Sequence, residues 1–137
     1  MAQNCTIPDS HKDLLERPVV VSLATINPDG QPQVTPVWAD YDGTYVRVNS
    51  ARGRRKVKNM EKRPKVTVLA IDPDDPYRWM EIRGVVEEIT EEGATDHIDQ
   101  LSWRYKDKGF YSTDPQRRSR ETRVMFKIRP VRVIVDG

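Results

Sequence analysis

The chain has 137 residues, with 23 Lys or Arg against 21 Asp or Glu and a net charge of +2. That size fits one compact domain, and a small closed sheet of this length commonly completes its burial in a dimer. The near balance of charge argues against nucleic acid as a partner; the apolar runs are too short and too charged for a membrane span, and Met1 to Asp13 lacks the apolar centre of a secretion signal. A cytoplasmic location without membrane association is therefore expected. Cys5 is the single cysteine, and His11 and His97 lie far apart in the chain, so no metal site is expected.

Residues 1–13 read as a flexible lead-in, and residues 14–137 as one domain. Leu14 and Leu15 anchor a short helix that Pro18 ends. Val19 to Ile26 is β-branched and short enough for a buried strand, and Asn27 to Gly30 spells a turn, so a hairpin is predicted. The return run, Gln31 to Tyr41, carries Pro32 and Pro36. Each lacks the amide donor that a central ladder needs, which places this strand at an edge, at a bulge or beside a ligand. Asp42 and Gly43 turn the chain into a third strand, Thr44 to Asn49.

After Pro64, Lys65 to Ile71 is a fourth strand, Asp72 to Pro76 an acidic link, and Tyr77 to Ile89 a long strand able to bend at Gly84 around a barrel corner. Its alternation sets Trp79, Glu81, Arg83 and Val85 against Met80, Ile82, Gly84 and Val86. Neither face is wholly polar, which suggests core on one side and a subunit contact or ligand on the other. The period then changes: Ala94, Ile98, Leu101 and Tyr105 form the stripe of an amphipathic helix with Thr90 as its cap. His97 in this helix reads as a surface or packing residue and not as a base. Lys106 to Arg120 reads as a polar loop anchored by Phe110 and Tyr111, with Arg117, Arg118 and Arg120 as a basic patch. Thr122 to Val135 alternates as one last strand interrupted at Pro130, or as two short ones. The sum is a mainly β, antiparallel protein of six or seven strands with one principal inserted helix and short flanking helices.

Between the third and fourth strands lies the densest charge feature, NSARGRRKVKNMEKRP from Asn49 to Pro64, in which seven basic residues face only Glu61. It reads as a turn eased by Gly53 and then a short helix, with Ser50 capping near its start, Pro64 stopping it, and Val57 and Met60 sharing its inward face. Helix amides beside Arg and Lys side chains suit a phosphate; a solvated basic face is the plain alternative, and composition does not choose between them. Other chemistry is poorly represented. The serines lack a nucleophile elbow, the paired carboxylates are sequence neighbours that diverge, and neither a dinucleotide fingerprint nor a phosphate loop is present. A flavin-like ligand fits better, with cations near Ser50 for its phosphate, the backbone of Thr35 to Trp38 along a planar polar ring, and Trp79 covering an aromatic surface.

The succession ATINPDGQPQVTPVW, TYVRVNS, GRRKVKNMEKRPKVTVL and a strand carrying EIRG resembles the pyridoxamine 5'-phosphate oxidase-like FMN-binding split-barrel superfamily over about Leu14 to Val135. Within it the chain looks closest to the deazaflavin (coenzyme F420)-dependent oxidoreductases. The resemblance implies a split barrel whose coenzyme phosphate is held by Ser50, Arg54, Lys56 and Asn59, with Asn49, Arg55 and Lys58 as neighbours. Thr35, Pro36, Val37 and Trp38 would border the ring. It implies a homodimer with coenzyme grooves at the subunit interface, completed by the strand carrying Trp79 or by the late loop.

The function that follows from this resemblance is hydride transfer between reduced coenzyme F420 and a small conjugated organic substrate. No catalytic side chain is assigned: Tyr41, Tyr77 and solvent all stand open as proton source. The short stretch after Val135 lacks the extended basic tail of a vitamin oxidase. The alternatives are an FMN-binding oxidoreductase of the same fold, or a noncatalytic flavin, deazaflavin or heme-binding protein. For heme, only His11 and His97 are available as axial histidines.

Overall fold

A computed structural model describes residues 5–109, 111 and 114–137. Seven strands form one antiparallel sheet: β1 (Val21–Ile26), β2 (Pro32–Val37), β3 (Ala39–Tyr41), β4 (Val46–Ala51), β5 (Lys65–Asp72), β6 (Asp75–Thr90) and β7 (Arg123–Asp136), in the order β2-β1-β5-β6-β7-β4-β3. Among the described residues four helices accompany them: α1 (Asp13–Glu16), α2 (Arg55–Lys62), α3 (Ala94–Lys106) and α4 (Pro115–Arg120). The sheet curls into a split half-barrel, as expected.

The two edge strands are consecutive in sequence. The predicted single strand Gln31 to Tyr41 is two strands: β2 pairs only with β1, and β3 only with β4. The chain leaves one edge at Val37 and joins the other at Ala39, with Trp38 spanning the gap. Edge placement explains Pro32 and Pro36, since an edge strand has one side on which a missing amide costs no ladder bond. The C-terminal end of α3 pins this switch. Trp38 stacks on Tyr105 with ring centroids 5.2 Å apart. The Tyr105 hydroxyl donates to the Val19 carbonyl at 2.6 Å and accepts from the Ala39 amide at 3.2 Å, while Arg104 Nη1 donates to the carbonyls of Leu15 and Ala39.

β6 is the longest strand and pairs with β5 on one side and β7 on the other. Arg83 pairs with Arg132 but Gly84 with Pro130, so Val131 is an extra residue in a bulge at the proline. β7 is therefore one continuous strand. The inner face of the sheet carries Leu23, Val48, Val68, Met80, Ile82, Phe126 and Ile128, all buried, and Val57 and Met60 of α2 close one end of this core.

Three local readings change. α3 starts after Gly93, which holds φ +76, and Thr90 Oγ1 accepts from the Glu92 amide at 3.0 Å, so it caps the turn before the helix and not the helix itself. The loop read from Lys106 to Arg120 contains α4, whose entry follows from Asp114 accepting the Gln116 amide and from Pro115 at the first helical position. The lead-in is packed from Cys5 onward: the Cys5 amide and thiol donate to Pro130 and Val131, Ile7 is buried, and His11 Nε2 lies 2.9 Å from the Asp136 carbonyl. The bulge at Pro130 frees these carbonyls from the β6 ladder, and the lead-in uses them. Phe110 lies outside the described residues. No helix among the described residues is long and apolar enough to cross a membrane.

Candidate functional site

A groove of about 410 Å³ opens where the strand switch, the start of α2, the inner side of α3 and the start of β7 meet. One side is apolar and aromatic, with Val20, Val37, Trp38, Ile98 and Leu101. Arg54, Lys56, Arg117 and Arg123 make the other cationic, Lys106 Nζ adds a further charge over the Trp38 ring at 5.4 Å from its centre, and no carboxylate is among the described lining residues. Glu121 stands behind this wall and holds Arg123 at 3.1 Å, Arg117 at 3.2 Å and Arg54 at 3.6 Å. One acid thus faces three guanidinium groups, and the cationic excess remains in the groove.

Lys56 carries that excess furthest. Its Nζ reaches only Thr35 Oγ1, at 3.3 Å, among the described hydrogen-bond partners. Burial, and then the charges of Arg54 and Arg123, push its ammonium below the ordinary lysine range. The helix it opens has no side-chain cap and no acid in its first turn, so three cations crowd the end of α2 where free amides already point outward. In an isolated helix that arrangement is unfavourable, and an anion in the groove reverses its sign.

The predicted site residues divide in two. Pro36, Val37, Trp38, Asn49, Arg54 and Lys56 line this one groove, and Thr35 joins it through Lys56. The other four do not. Ser50 lies on the opposite face of β4 from Asn49, 1% exposed, and its hydroxyl has no partner among the described residues. It neither caps α2 nor reaches the cationic wall. Asn59 is fully buried and donates inward to Thr25 Oγ1 and Asn27 Oδ1, both at 3.0 Å, tying α2 to β1 and the turn after it. Arg55 borders a separate shallow groove with Asn27, Asp29 and Gln33. Trp79 stands on the outer face of the sheet with Ala24, Val34, Leu69 and Ile71.

Several residues of the groove were not in the sequence-derived set. Arg117 was visible only as part of a basic patch, and Lys106 and Arg123 gave no local signal. Tyr111 is flanked by Arg117, Arg118 and Arg123, with guanidinium carbons 4.9 to 5.8 Å from its ring centre. Behind Arg123 runs a buried polar chain. Arg123 Nε donates to Asn49 Oδ1 at 2.9 Å, Asn49 Nδ2 lies 3.0 Å from His97 Nδ1, and His97 Nε2 lies 3.1 Å from Asp40 Oδ2. Burial pushes the Asp40 carboxyl up, but hydrogen bonds from His97 and Arg47 outweigh it and hold it at about 2. His97 is thus a packing histidine in the full sense, 2% exposed with both ring nitrogens engaged.

These features define a small antiparallel split barrel with a cationic, aromatic-walled groove beside its strand switch. The chain belongs to the pyridoxamine 5'-phosphate oxidase family, whose model matches residues 7–135. A solved structure described as an F420 reductase is 35% identical, covers 93% of this chain and 98% of its own, and superposes with a TM-score of 0.82. A conserved hypothetical protein of Mycobacterium tuberculosis is 27% identical, with 100% of this chain and 88% of its own covered and a TM-score of 0.75. The heme storage protein HutZ of Vibrio cholerae shares the fold alone, at 17% identity, 93% coverage of both chains and a TM-score of 0.63. Among curated proteins no match was found.

Proposed function

We propose that this protein is a deazaflavin (coenzyme F420)-dependent oxidoreductase that moves a hydride between the reduced coenzyme and a small conjugated organic substrate. The observation that carries this reading is Lys56, a partly buried cation without a carboxylate partner among the described residues, set between Arg54 and Arg123 at the start of a helix and opening on the same groove as Trp38. The likeness to a chain described as an F420 reductase supports the choice of coenzyme. Bound in this groove, the coenzyme would supply the hydride chemistry. The chain's own residues bind and orient: Lys56 and Arg54 hold a phosphate, Lys106, Arg117 and Arg123 suit further anionic groups of a longer tail, and Val20, Ile98 and Leu101 exclude water from one side.

FMN is the second reading, because the family model is that of an oxidase of pyridoxamine 5'-phosphate and FMN carries one phosphate and a tricyclic ring. Heme fits the described histidines poorly. His11 is engaged by Ser10 and the Asp136 carbonyl, and His97 by Asn49 and Asp40, so neither offers a free ring nitrogen as an axial ligand. Absorbance titrations of the protein with oxidised coenzyme F420 and, separately, with FMN decide between the two. Saturable perturbation of the F420 spectrum is expected; tight FMN binding without measurable F420 binding overturns the proposal.

The outer sheet face bearing Trp79 suits a second copy of this chain. Val34 and Ile71 are 61% and 44% exposed on a continuous apolar surface that also holds Ala24 and Leu69, a pattern that favours burial against a partner. A homodimer is proposed, and sedimentation equilibrium should return twice the chain mass; a monomer at micromolar concentration overturns it.

A further inference from the structure

We propose that Asn49 and His97 are positioning residues that aim the Arg123 guanidinium into the groove. The inference rests on the reading of that groove as an anion site. A guanidinium has donors only, so the Asn49 atom facing Arg123 Nε at 2.9 Å has to be the carbonyl oxygen. The Asn49 Nδ2 group then donates to the Ala94 carbonyl at 2.8 Å and towards His97 Nδ1 at 3.0 Å. His97 Nδ1 is therefore the acceptor, and the ring proton sits on Nε2, 3.1 Å from Asp40 Oδ2. Arg47 closes the chain with two bonds to Asp40, at 2.8 and 2.9 Å.

Every hydrogen in this sequence, from Arg123 to Asp40, points the same way. Asn49, His97, Asp40 and Arg123 are all at most 8% exposed, so water has little access to replace a lost partner. The charged groups facing the chain are Asp40 from β3, Arg47 from β4, and Arg123 from β7, the last held on its far side by Glu121. If the acceptor at His97 Nδ1 is removed, one Nδ2 hydrogen of Asn49 is left buried without a partner, and the amide is held on that side by the Ala94 carbonyl alone. Free to tilt about that bond, it draws Oδ1 away from Arg123 Nε, and the guanidinium keeps Glu121 and the Tyr111 ring but loses the contact that fixes its angle. The groove then loses the aim of a cation while keeping its charge.

Two substitutions separate positioning from bulk stability. His97→Asn places an amide oxygen where Nδ1 stands, keeps the acceptor for Asn49, and gives up the reach to Asp40, which Arg47 still pairs. His97→Gln extends its amide towards Asp40 and leaves Asn49 without that acceptor. In ligand-free protein, the ¹⁵N–¹H signal of Arg123 Nε is expected to stay close to wild type in His97→Asn and to move or exchange-broaden in His97→Gln. In titration calorimetry with inorganic pyrophosphate and with coenzyme F420, His97→Asn should remain within about twofold of wild type and His97→Gln should bind roughly tenfold more weakly. An unchanged Arg123 signal in folded His97→Gln overturns the inference, and so does a tenfold affinity loss in His97→Asn, which stands as a test even where the glutamine variant does not fold. If the Arg123 signal moves as expected but wild-type protein binds neither probe, positioning is supported and the anion reading of the groove is what fails.

Discussion

Lys56→Ala is expected to weaken binding of coenzyme F420 by about 10- to 100-fold, the loss of one charge-assisted bond to an anion, without lowering the melting temperature. The two halves of that expectation have one cause. Lys56 is partly buried between Arg54 and Arg123 with Thr35 as its described hydrogen-bond partner, so without an anion beside it its charge is unfavourable. Alanine removes both the repulsion and the ligand contact. The pH dependence follows from the lowered value. Between that value and the ordinary 10.5 the unfolded chain holds the proton more tightly than the folded one, so the folded state gains stability as pH rises through this window. Coenzyme affinity should fall over the same window as the ammonium is lost, and Lys56→Ala should flatten both trends. Two controls bear on placement: Lys62, exposed in the last turn of α2, and Ser50, turned to the other face of β4. Alanine at either should leave affinity within about twofold, well below the energy of a charged contact. Absorbance titration at fixed pH measures all three, and equal losses at Lys56 and Lys62 would sink the assignment.

The contrast between Lys56 and Ser50 shows where local pattern stops being informative. Strand alternation and helix periodicity are short-range codes, and they located the long β6 with its two faces, the α3 stripe and the inward Val57 and Met60 of α2. The prolines of β2 announced an edge for a physical reason that holds in any fold. What the pattern could not contain is the partner of that edge. β2 and β3 read as one strand because nothing near Trp38 encodes that its two sides belong to opposite edges of a sheet closed by β7 and β4. The same gap explains the site. Asn59 and Ser50 sit among the basic residues in sequence, but a shift of one residue changes which face a strand side chain occupies, and both point into the barrel. Arg123 joins Asn49 across 74 positions, and His97 joins Asp40 across 57. A histidine that was read as bland packing is part of the groove's support because of contacts that composition and spacing do not carry.

Gly84→Ala is expected to destabilise the fold by about 1 to 3 kcal/mol, the usual range for overpacking, and to lower the melting temperature by about 4 to 12 °C. The reason is space and not backbone conformation. A Cβ at this position would lie 2.6 Å from Ile128 Cγ2 and 2.8 Å from the Arg129 carbonyl oxygen. Ile128 is fully buried in the core, so its methyl has no free volume to enter, and the second obstacle is main chain. Relief requires β6 and β7 to separate where Gly84 faces Pro130, beside the bulge whose carbonyls receive the Cys5 amide and thiol. The lead-in should loosen with the strands, and amide exchange at Cys5 is expected to accelerate in the variant. Truncating Ile128 in the same protein removes the methyl but not the carbonyl, so the double variant should stay well below wild type. Arg123 stands at the other end of β7, so coenzyme affinity measured well below the melting temperature should change by less than about twofold, since sites without shared contacts act independently. A melting temperature within a degree of wild type would mean that β6 and β7 part at Gly84 at little cost, and that the close crossing there does not hold the corner of the barrel.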